Sequence, residues 1–340
     1  MATDASAGQI VAVFTAFVCV ALLLLVACRR RRRPLRAEEE EEGAGRGVLV
    51  TGCDSGFGHH LALQLDARGF TVFAGCLFPE GRGALTLAQE GSCRLRVLKL
   101  DVTSDEDVEE AKRVVQINLP ENGLWAVVNN AGISDWAETE WSTINHYTKM
   151  VDVNLFGAIR TTIAFLPLVR AAKGRMVFMS SIFAFFHCLN MGAYSVSKRG
   201  LEAFADCLRV EMASFGVKVS IVQPGNFGRA TNIVKTKKSW NIWENLTPEQ
   251  KLVFSREYME LANAYFNTVT GAGFTEVSMV VDALLHAVSS PRPQYHYLLA
   301  SRLDSLFFSW YPLLPTAVSD GIFALSPMYA RRRKMLYSKQ

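Results

Sequence analysis

The stretch GVLVTGCDSGFG, residues 47–58, decides the fold expected for this 340-residue chain. Its first residues, 47–50, predict a buried strand, and the apolar periodicity of residues 61–68 predicts a helix. The glycines between them allow a tight turn and a close backbone approach to phosphate, and the helix start offers N–H groups. We therefore expect a dinucleotide site that includes Thr51, Gly52, Asp54, Ser55, Gly56, Phe57 and Gly58.

Short apolar runs and helical patterns then alternate along the chain. Further strands are predicted at residues 70–74, 95–100, 124–128, 177–181 and 219–222, with a helix over 194–215. Such alternation predicts parallel βαβ units with right-handed crossovers. The expected fold class is α/β, a single doubly wound Rossmann-type parallel sheet with helices on both faces. This domain is expected to occupy residues 47–290.

Two of these strands end in residues suited to a cofactor. Asp101 and Val102 close the third strand, where a carboxylate can accept a hydrogen bond from an adenine amine. The run Asn129–Gly132 closes the fourth strand, and its small residues leave room for a cofactor. Asn154 falls in the following helix.

A candidate proton-transfer pair lies in the second half of the chain. Tyr194 comes thirteen residues after Ser181, and Lys198 comes four residues later. On a helix, residues four apart share a face, so both side chains should point into one cleft. A tyrosine is a poor base at neutral pH, and a neighbouring ammonium favours its phenolate. Tyr194 would move the alcohol proton and Ser181 would hold the substrate oxygen.

The order and spacing of these motifs resemble the short-chain dehydrogenase/reductase family over about residues 47–230. The resemblance implies that Asn129–Gly132 stabilises the sheet and that Asn154 helps to hold a relay water. It selects Ser181 over Ser180, places the threonine Thr231 near the carboxamide, and implies a homo-oligomer. The catalytic set would be Asn154, Ser181, Tyr194 and Lys198. The further cofactor residues would be Asn130, Ala131, Gly132, Tyr194, Lys198, Pro224, Gly225 and Thr231.

The choice between NAD and NADP is a local electrostatic question. The glycine turn has no Arg or Lys, and Asp54 would repel a 2′-phosphate. Gly75 and Cys76, however, stand where the usual NAD pattern has a ribose-binding acid. We expect NAD, with NADP as the less favoured cofactor.

The substrate is less determined than the reaction. Segments such as VSIVQPGNF, residues 219–227, are most similar to the family branch of hydroxybutyrate, retinol and NAD-linked hydroxysteroid dehydrogenases. The segment Ile182–Ala193 contains no Arg or Lys and suits a lipophilic alcohol. A hydroxy acid would need a cation from elsewhere, such as Lys235, Lys237 or Lys238. A non-catalytic scaffold would predict loss of the reactive residues. The candidate substrate residues are Ser181, Phe183, Phe185, His187 and Phe227.

The amino-terminal end is predicted to anchor the chain in a membrane. Residues 10–28 are an uncharged run about 28 Å long as a helix, close to the ~30 Å hydrocarbon core. Five arginines, 29–33, follow and favour a cytosolic catalytic domain on the endoplasmic reticulum. The acids at 38–42 argue against a mitochondrial presequence, and a mitochondrial membrane is the alternative. We expect a short terminus at 1–9 and a charged linker at 29–46.

The remaining segments carry weaker signals. Residues 232–275 are expected to form a substrate lid. The apolar stretch 303–325, within a C-terminal segment 291–340, is interrupted by Pro312 and Pro315. It either lies on lipid or packs on the domain, and a spanning helix is disfavoured. A net charge of +4 with clustered basic ends gives no basis for nucleic-acid binding, and we expect no metal site.

Overall fold

The computed structural model describes residues 43–233 and 237–337. Its centre is a seven-stranded sheet in which every neighbouring pair is parallel, in the order β3-β2-β1-β4-β5-β6-β7. The strands are β1 (Gly47–Thr51), β2 (Thr71–Cys76), β3 (Leu95–Lys99), β4 (Leu124–Asn129), β5 (Arg175–Met179), β6 (Lys218–Pro224) and β7 (His296–Leu299).

Helices connect these strands and continue past the last one. Those of the first half are α1 (Gly56–Ala67), α2 (Arg82–Glu90), α3 (Asp105–Ile117), α4 (Ile144–Val151) and α5 (Ala158–Ala171), with a π-helical segment Asp152–Gly157 joining α4 to α5. Those of the second half are α6 (Gly192–Ala213), α7 (Ser239–Glu244), α8 (Pro248–Val253), α9 (Arg256–Gly271), α10 (Ser278–Ser289), α11 (Arg302–Trp310), α12 (Thr316–Ala324) and α13 (Pro327–Tyr337).

The central strands of the sheet are covered on both faces, and every residue of β1 is buried. Successive side chains of a strand point to opposite faces. Val48 and Val50 of β1 accordingly pack into one core, with α1 and α10, while Leu49 packs into the other, with α3, α5 and α6. This explains why continuous apolar runs, and not alternating ones, mark the strands in the sequence.

The pairing of β1 with β4 sets the position of the site. The chain runs outward from β1 to β2 and β3, then returns to pair β4 with the other side of β1. At such a reversal the connections leave in opposite directions and open a crevice at the carboxyl ends of the strands. Thr51 ends β1 there, and its Oγ1 accepts N–H bonds from Asn130 and Ala131 at 3.0 and 2.9 Å.

The α/β class, the parallel sheet and the helices on both faces are therefore confirmed. The predicted elements are present with shifts of a few residues at their ends. The seventh strand, β7, was not predicted, because its apolar stretch of four residues is too short to stand out. The predicted anchor at 10–28 and the terminus before it lie outside the described residues.

Within the described ranges, one helical stretch is long and apolar enough to cross a membrane, Ile144–Ala171. It comprises α4, the π segment and α5. Phe165 and Val169 of α5 are fully buried against the sheet, so this stretch is a core element of the domain.

The C-terminal segment is helical but broken, as its prolines predicted. α11 and α12 each have nine residues, and a 3-10 turn at Tyr311–Leu313 separates them. Nine helical residues reach only about 14 Å, which is less than half of the ~30 Å hydrocarbon core. Neither helix can span a bilayer.

Candidate active site

The glycine turn joins β1 to α1 at the crevice. Gly52 and Gly56 have φ of +70° and +62°, which side chains rarely adopt. A Cβ at Gly52 would lie 2.8 Å from Ala131 Cα, so the turn must pack directly on the end of β4. The Ser55 side chain makes no hydrogen bond to the start of α1. The first N–H groups of this helix are therefore left to a bound anion, which fits a pyrophosphate.

Asp54 lies in the same turn and reaches the end of β2. Its two carboxylate oxygens each accept a backbone N–H, from Leu77 and Phe78, at 2.9 Å. A Cβ added to Gly75, near the end of β2, would lie 2.7 Å from Leu100 Cδ2, so any side chain at this position would require Leu100 to move. Asp54 thus places a fixed carboxylate beside the end of β2.

The third strand ends as predicted, but its acid is engaged locally. Asp101 Oδ1 accepts from the N–H and the hydroxyl of Thr103, at 2.9 and 2.7 Å. Val102 is buried against Gly157, and its carbonyl accepts a 2.7 Å bond from Arg160. Both residues are held rigidly at the carboxyl edge of the sheet. Their contact with adenine stays a prediction.

The end of the fourth strand is tied to the first. Asn130 Nδ2 donates to the carbonyls of Thr51 and Gly52 at 2.9 and 3.1 Å. Asn129 Nδ2 donates to Thr162 of α5 at 3.2 Å. These bonds agree with the sheet-stabilising role that the resemblance implied. A Cβ added to Gly132 would lie 3.5 Å from Lys198 Nζ, so this strand end faces the lysine.

Asn154 lies in the π-helical segment, where the widened turn directs its side chain inward. The amide bonds both backbone groups of Ile133, accepting at 2.8 Å and donating at 2.9 Å. It also donates to Ser197 Oγ at 3.0 Å, and that hydroxyl donates to the Tyr194 carbonyl at 2.7 Å. Asn154 therefore joins the loop after β4 to the helix that carries Tyr194. Single-turn π insertions of this kind are frequent at functional sites.

Tyr194 and Lys198 lie one turn apart on α6 and share a buried face, as predicted. Lys198 is 2% exposed, and its Nζ donates to the carbonyl of Met179, the last residue of β5, at 2.7 Å. The same Nζ lies 5.7 Å from the centre of the Tyr194 ring. The ammonium is therefore beside the phenol and anchored to the sheet.

Two adjacent serines follow β5, and the structure separates their roles. Ser181 hydrogen-bonds the Tyr194 side chain and lies 3.5 Å from the carbonyl of Pro224. Ser180 instead donates to Glu202 Oε1 at 2.7 Å, on the other side of the backbone. Only Ser181 shares the site with the phenol, in agreement with the spacing argument.

The titration behaviour of the pair differs from the simplest expectation. Burial raises the pKa of Tyr194 to about 12, although its hydrogen bond with Ser181 acts in the opposite direction. Burial also lowers the pKa of Lys198 to about 8, while Glu202 raises it. In the protein alone, loss of hydration thus outweighs the effect of the Ser181 hydrogen bond on the pKa of the phenol. A charge-stabilised phenolate needs further positive charge in the closed site.

Comparison with known proteins agrees with this geometry. The short chain dehydrogenase model matches residues 46–242. The chain belongs to the short-chain dehydrogenase family. It is 38% identical to mouse mitochondrial D-beta-hydroxybutyrate dehydrogenase, over 82% of this chain and 84% of that protein. It is 39% identical to rat retinol dehydrogenase 7 (81% and 86%) and 40% identical to human 17-beta-hydroxysteroid dehydrogenase type 6 (82% and 88%).

Solved structures agree on the fold. A short-chain dehydrogenase from Streptomyces avermitilis matches with a TM-score of 0.64 at 24% identity, covering 86% of this chain and 98% of its own. A short-chain dehydrogenase/reductase from Burkholderia phymatum, solved in complex with NAD, also matches with a TM-score of 0.64. The two chains are 18% identical, and the match covers 79% of this chain and 92% of the other.

The protein is therefore an oxidoreductase that interconverts an alcohol and its carbonyl with a nicotinamide dinucleotide. When bound, the nicotinamide accepts or donates the hydride. The glycine turn, the Asn130–Gly132 strand end and the Pro224–Gly225 turn lie at the carboxyl ends of β1, β4 and β6. Gly225 N–H donates to Leu299 at 2.8 Å, which fixes that turn, and Thr231 packs against Gly56 across the crevice.

The predicted substrate residues divide into two groups. Phe183 packs against the Tyr194 ring, with centroids 6.1 Å apart, and belongs to an apolar cluster with Trp136. Phe185 and His187 lie farther out and contact Phe308 and Tyr311 of the C-terminal segment. The segment between Ser181 and Tyr194 therefore packs against the C-terminal segment.

Phe227 was placed in the wrong group. It is 4% exposed and belongs to the sheet core, stacked on Phe274 at 4.7 Å and edge-on to Phe57 at 5.9 Å. An aromatic residue after a Pro-Gly turn can point either way, and sequence does not specify the direction. Here it packs into the sheet core, against Phe57 of α1 and Phe274.

Sequence reasoning also missed residues that shape the substrate side. Trp136 is buried and stacks on Phe266 of α9 at 4.9 Å, which makes the lid part of the apolar cluster. Phe186 contacts four aromatic rings of the C-terminal segment. Glu202 lies one turn beyond Lys198 on α6. Its spacing of four residues from Lys198 could have predicted that it shares the same helix face.

We expect Tyr194→Phe to lower kcat for alcohol oxidation by about a thousandfold or more, because the phenyl ring has no proton to exchange. The ring keeps its packing against Phe183, so cofactor binding should change by less than about threefold. Steady-state NADH formation measures the first effect, and fluorescence titration with NADH measures the second. Near-wild-type turnover by this variant would refute the assignment of Tyr194.

Proposed function

We propose that this enzyme is an NAD-dependent dehydrogenase of a lipophilic secondary or allylic alcohol, such as a hydroxysteroid or a retinoid. The apolar wall beside Tyr194 carries the proposal. Phe183, Trp136 and Phe266 are aromatic residues from three different elements, and they meet in one cluster with the phenol. Such a wall buries apolar substrate surface while Ser181 and Tyr194 fix the reacting oxygen.

The charged groups near this wall support the same substrate class. Lys237 lies in the lid, but its Nζ is 2.5 Å from Asp135 Oδ1 and donates to the Trp136 carbonyl at 2.8 Å. An ammonium already paired with a carboxylate is a weak partner for a substrate carboxylate. Lys238 is exposed, and Lys235 lies outside the described residues.

In the proposed mechanism, Tyr194 removes the hydroxyl proton during oxidation and returns it during reduction. Ser181 hydrogen-bonds the substrate oxygen and the phenol together. Lys198 holds the ribose end of the cofactor and favours the phenolate by its charge. Asn154 keeps the loop after β4 aligned with α6, so that a water can connect Lys198 to solvent.

The second candidate is oxidation of (R)-3-hydroxybutyrate. The identity of 38–40% with mammalian D-beta-hydroxybutyrate dehydrogenases over 82% of the chain favours it. This candidate requires a cation for the substrate carboxylate, for which Lys237 would have to leave Asp135. A non-catalytic scaffold is the least supported, since Asn154, Ser181 and Lys198 are present and converge with Tyr194.

We further propose NAD as the preferred cofactor, on the strength of Asp54. Its carboxylate is held at the end of β2 by two N–H bonds and therefore cannot swing away from an incoming phosphate. In this fold the adenosine ribose lies at the end of that strand. A hydroxyl can hydrogen-bond the carboxylate, whereas a 2′-phosphate would be repelled.

We propose that the enzyme is held on the endoplasmic reticulum by residues 10–28 and that the C-terminal segment rests on the same bilayer. α11 and α12 expose apolar residues at helical spacing, and their exposed fractions support contact with lipid. The α11 residues are Leu303 (80%), Leu306 (45%) and Phe307 (36%); the α12 residues are Val318 (49%) and Ile322 (36%), and Leu325 (85%) follows directly after α12. The mitochondrial membrane stays the alternative.

A homo-oligomer is also proposed. Ile163 of α5 and Val196 and Val210 of α6 are more than half exposed, at 68%, 53% and 68%. These two helices lie on the same side of the sheet, so a second copy could cover their apolar residues together.

The substrate prediction is tested by NADH formation with membrane-embedded enzyme and three classes of alcohol. We expect turnover of hydroxysteroid or retinol and little with hydroxybutyrate. Phe183→Ala should lower kcat/KM for the lipophilic substrate by about tenfold or more, since it removes pocket surface. Phe215→Ala, at an exposed residue just beyond the end of α6, is the control and should stay near wild type. Turnover of hydroxybutyrate alone would overturn the lipophilic assignment.

The cofactor prediction is tested with Asp54→Asn, which keeps an oxygen acceptor but removes the charge. We expect kcat/KM with NADP relative to NAD to rise by about tenfold or more, because the repulsion is lost. Asp282→Asn, at an exposed acid of α10, should leave the ratio unchanged. An unaltered ratio in Asp54→Asn, or a wild-type preference for NADP, would contradict the role of Asp54.

The topology prediction is tested by adding protease to sealed microsomes that contain the enzyme with an amino-terminal epitope. We expect the catalytic domain to be degraded and the epitope to be protected, because the arginines at 29–33 keep the following chain cytosolic. Detergent should expose the epitope. A protected catalytic domain, or enrichment in purified mitochondria, would show that the proposed orientation or organelle is wrong.

A further inference from the structure

The carboxylate of Glu202 is buried beside Tyr194 and Lys198, and it has no role in the mechanism proposed above. Glu202 is 6% exposed and lies one turn beyond Lys198 on the inner face of α6. Residues 194, 198 and 202 thus repeat every four positions and share one face of the helix. A carboxylate is rarely buried without a partner, so its contacts identify what it does.

The contacts of Glu202 join three elements of the site. Its Oε1 accepts from the Ser180 hydroxyl at 2.7 Å and from Gln223 Nε2 at 2.8 Å. Ser180 directly precedes Ser181, and Gln223 directly precedes the Pro224–Gly225 turn. One oxygen therefore connects the tyrosine helix to the end of β5 and to the end of β6.

We propose that Glu202 is a positioning residue for the reaction, which acts through Lys198 and fixes Ser181 and the Pro224–Gly225 turn relative to Tyr194. The proposal rests on the roles proposed for Tyr194 and Lys198, but it does not depend on the identity of the alcohol. Glu202 itself touches neither the substrate space nor the phenol.

The electrostatic part of the role follows from burial. Lys198 has lost its hydration, and the carbonyl of Met179 is the acceptor at its Nζ. The Glu202 charge raises the pKa of Lys198 against the lowering by burial, and so favours the ammonium. An ammonium is what favours the Tyr194 phenolate. The carboxylate would thus keep the lysine charged over the pH range in which the tyrosine must ionise.

The surroundings of Glu202 contain few other charges. Arg199 and Asp206 act on it from its own helix, and their effects on its pKa have opposite signs. Its partners from β5 and β6, Ser180 and Gln223, are uncharged and both donate hydrogen bonds to it. Burial raises the pKa of Glu202, and these two donors lower it. Donation from both partners to one oxygen is the arrangement that a carboxylate requires.

The test separates the charge of Glu202 from its hydrogen bonds. Glu202→Gln keeps an oxygen that can accept from both partners but removes the charge. We expect the acid limb of the kcat/KM profile for alcohol oxidation to move up by about half a pH unit or more, because the ammonium is less favoured. At high pH, kcat should recover to within about threefold of wild type. In Glu202→Ala, kcat should stay low at high pH, because this variant also loses the hydrogen bonds that hold the ends of β5 and β6.

Asp206→Asn is the matched control, since it removes the same charge one turn farther along α6. Asp206 is 44% exposed and pairs with Arg209 at 3.1 Å. The acid limb of the kcat/KM profile of Asp206→Asn should coincide with that of wild type. A Glu202→Gln profile that coincides with wild type, or an equal shift in Asp206→Asn, would overturn the proposal.

A second measurement does not need turnover. Absorbance titration of tyrosinate, taken as the difference between each protein and its Tyr194→Phe partner, reports the ionisation of Tyr194 in the presence of NAD. We expect this midpoint to rise in Glu202→Gln and to stay unchanged in Asp206→Asn. An unchanged midpoint in Glu202→Gln refutes the Glu202 role alone. Full activity of Tyr194→Phe would instead refute the underlying mechanism.

Discussion

The pairing of β1 with β4 is the constraint on which the rest of the molecule depends. It reverses the order of the sheet and opens the crevice in which the cofactor residues meet. Side chains secure it at its carboxyl end, where Thr51 accepts two N–H bonds from the β4 end and Asn130 donates to two carbonyls of the glycine turn. The glycine turn at the start of α1 and the end of β4, which faces Lys198, are therefore held together as one unit. A change in one of these segments would displace the other.

Both groups of the proton-transfer pair, Tyr194 and Lys198, are buried. Lys198 is nearly inaccessible to water, and burial opposes both its ammonium and the Tyr194 phenolate. Within the protein, the carbonyl of Met179 accepts a hydrogen bond from this ammonium, and the Glu202 carboxylate favours its charged form. Such preorganised groups cost little reorganisation during the reaction. The arrangement ties proton transfer to a filled, closed site.

The substrate side is built from parts of the chain that lie far apart. Trp136 comes from the loop after β4, Phe266 from the lid and Phe183 from the turn after β5, and they form one apolar cluster with Tyr194. Arg332 of α13 adds a polar clasp farther out, donating to Glu138 at 2.8 Å and to Tyr258 at 2.9 Å. The C-terminal helices thus hold the loop and the lid together while they expose apolar residues outward.

The sequence by itself determined the fold class, the cofactor turn and the reacting pair. Those features are local: glycines, strand ends and a four-residue helical spacing act within a few residues of one another. Tertiary structure alone decided that Phe227 belongs to the core, that the Asp54 carboxylate is held at the end of β2, and that Lys237 pairs with Asp135. Each of these depends on which side chain another element brings close. The substrate class depends on the same long-range packing, which is why the residues before Tyr194 could suggest it but not fix it.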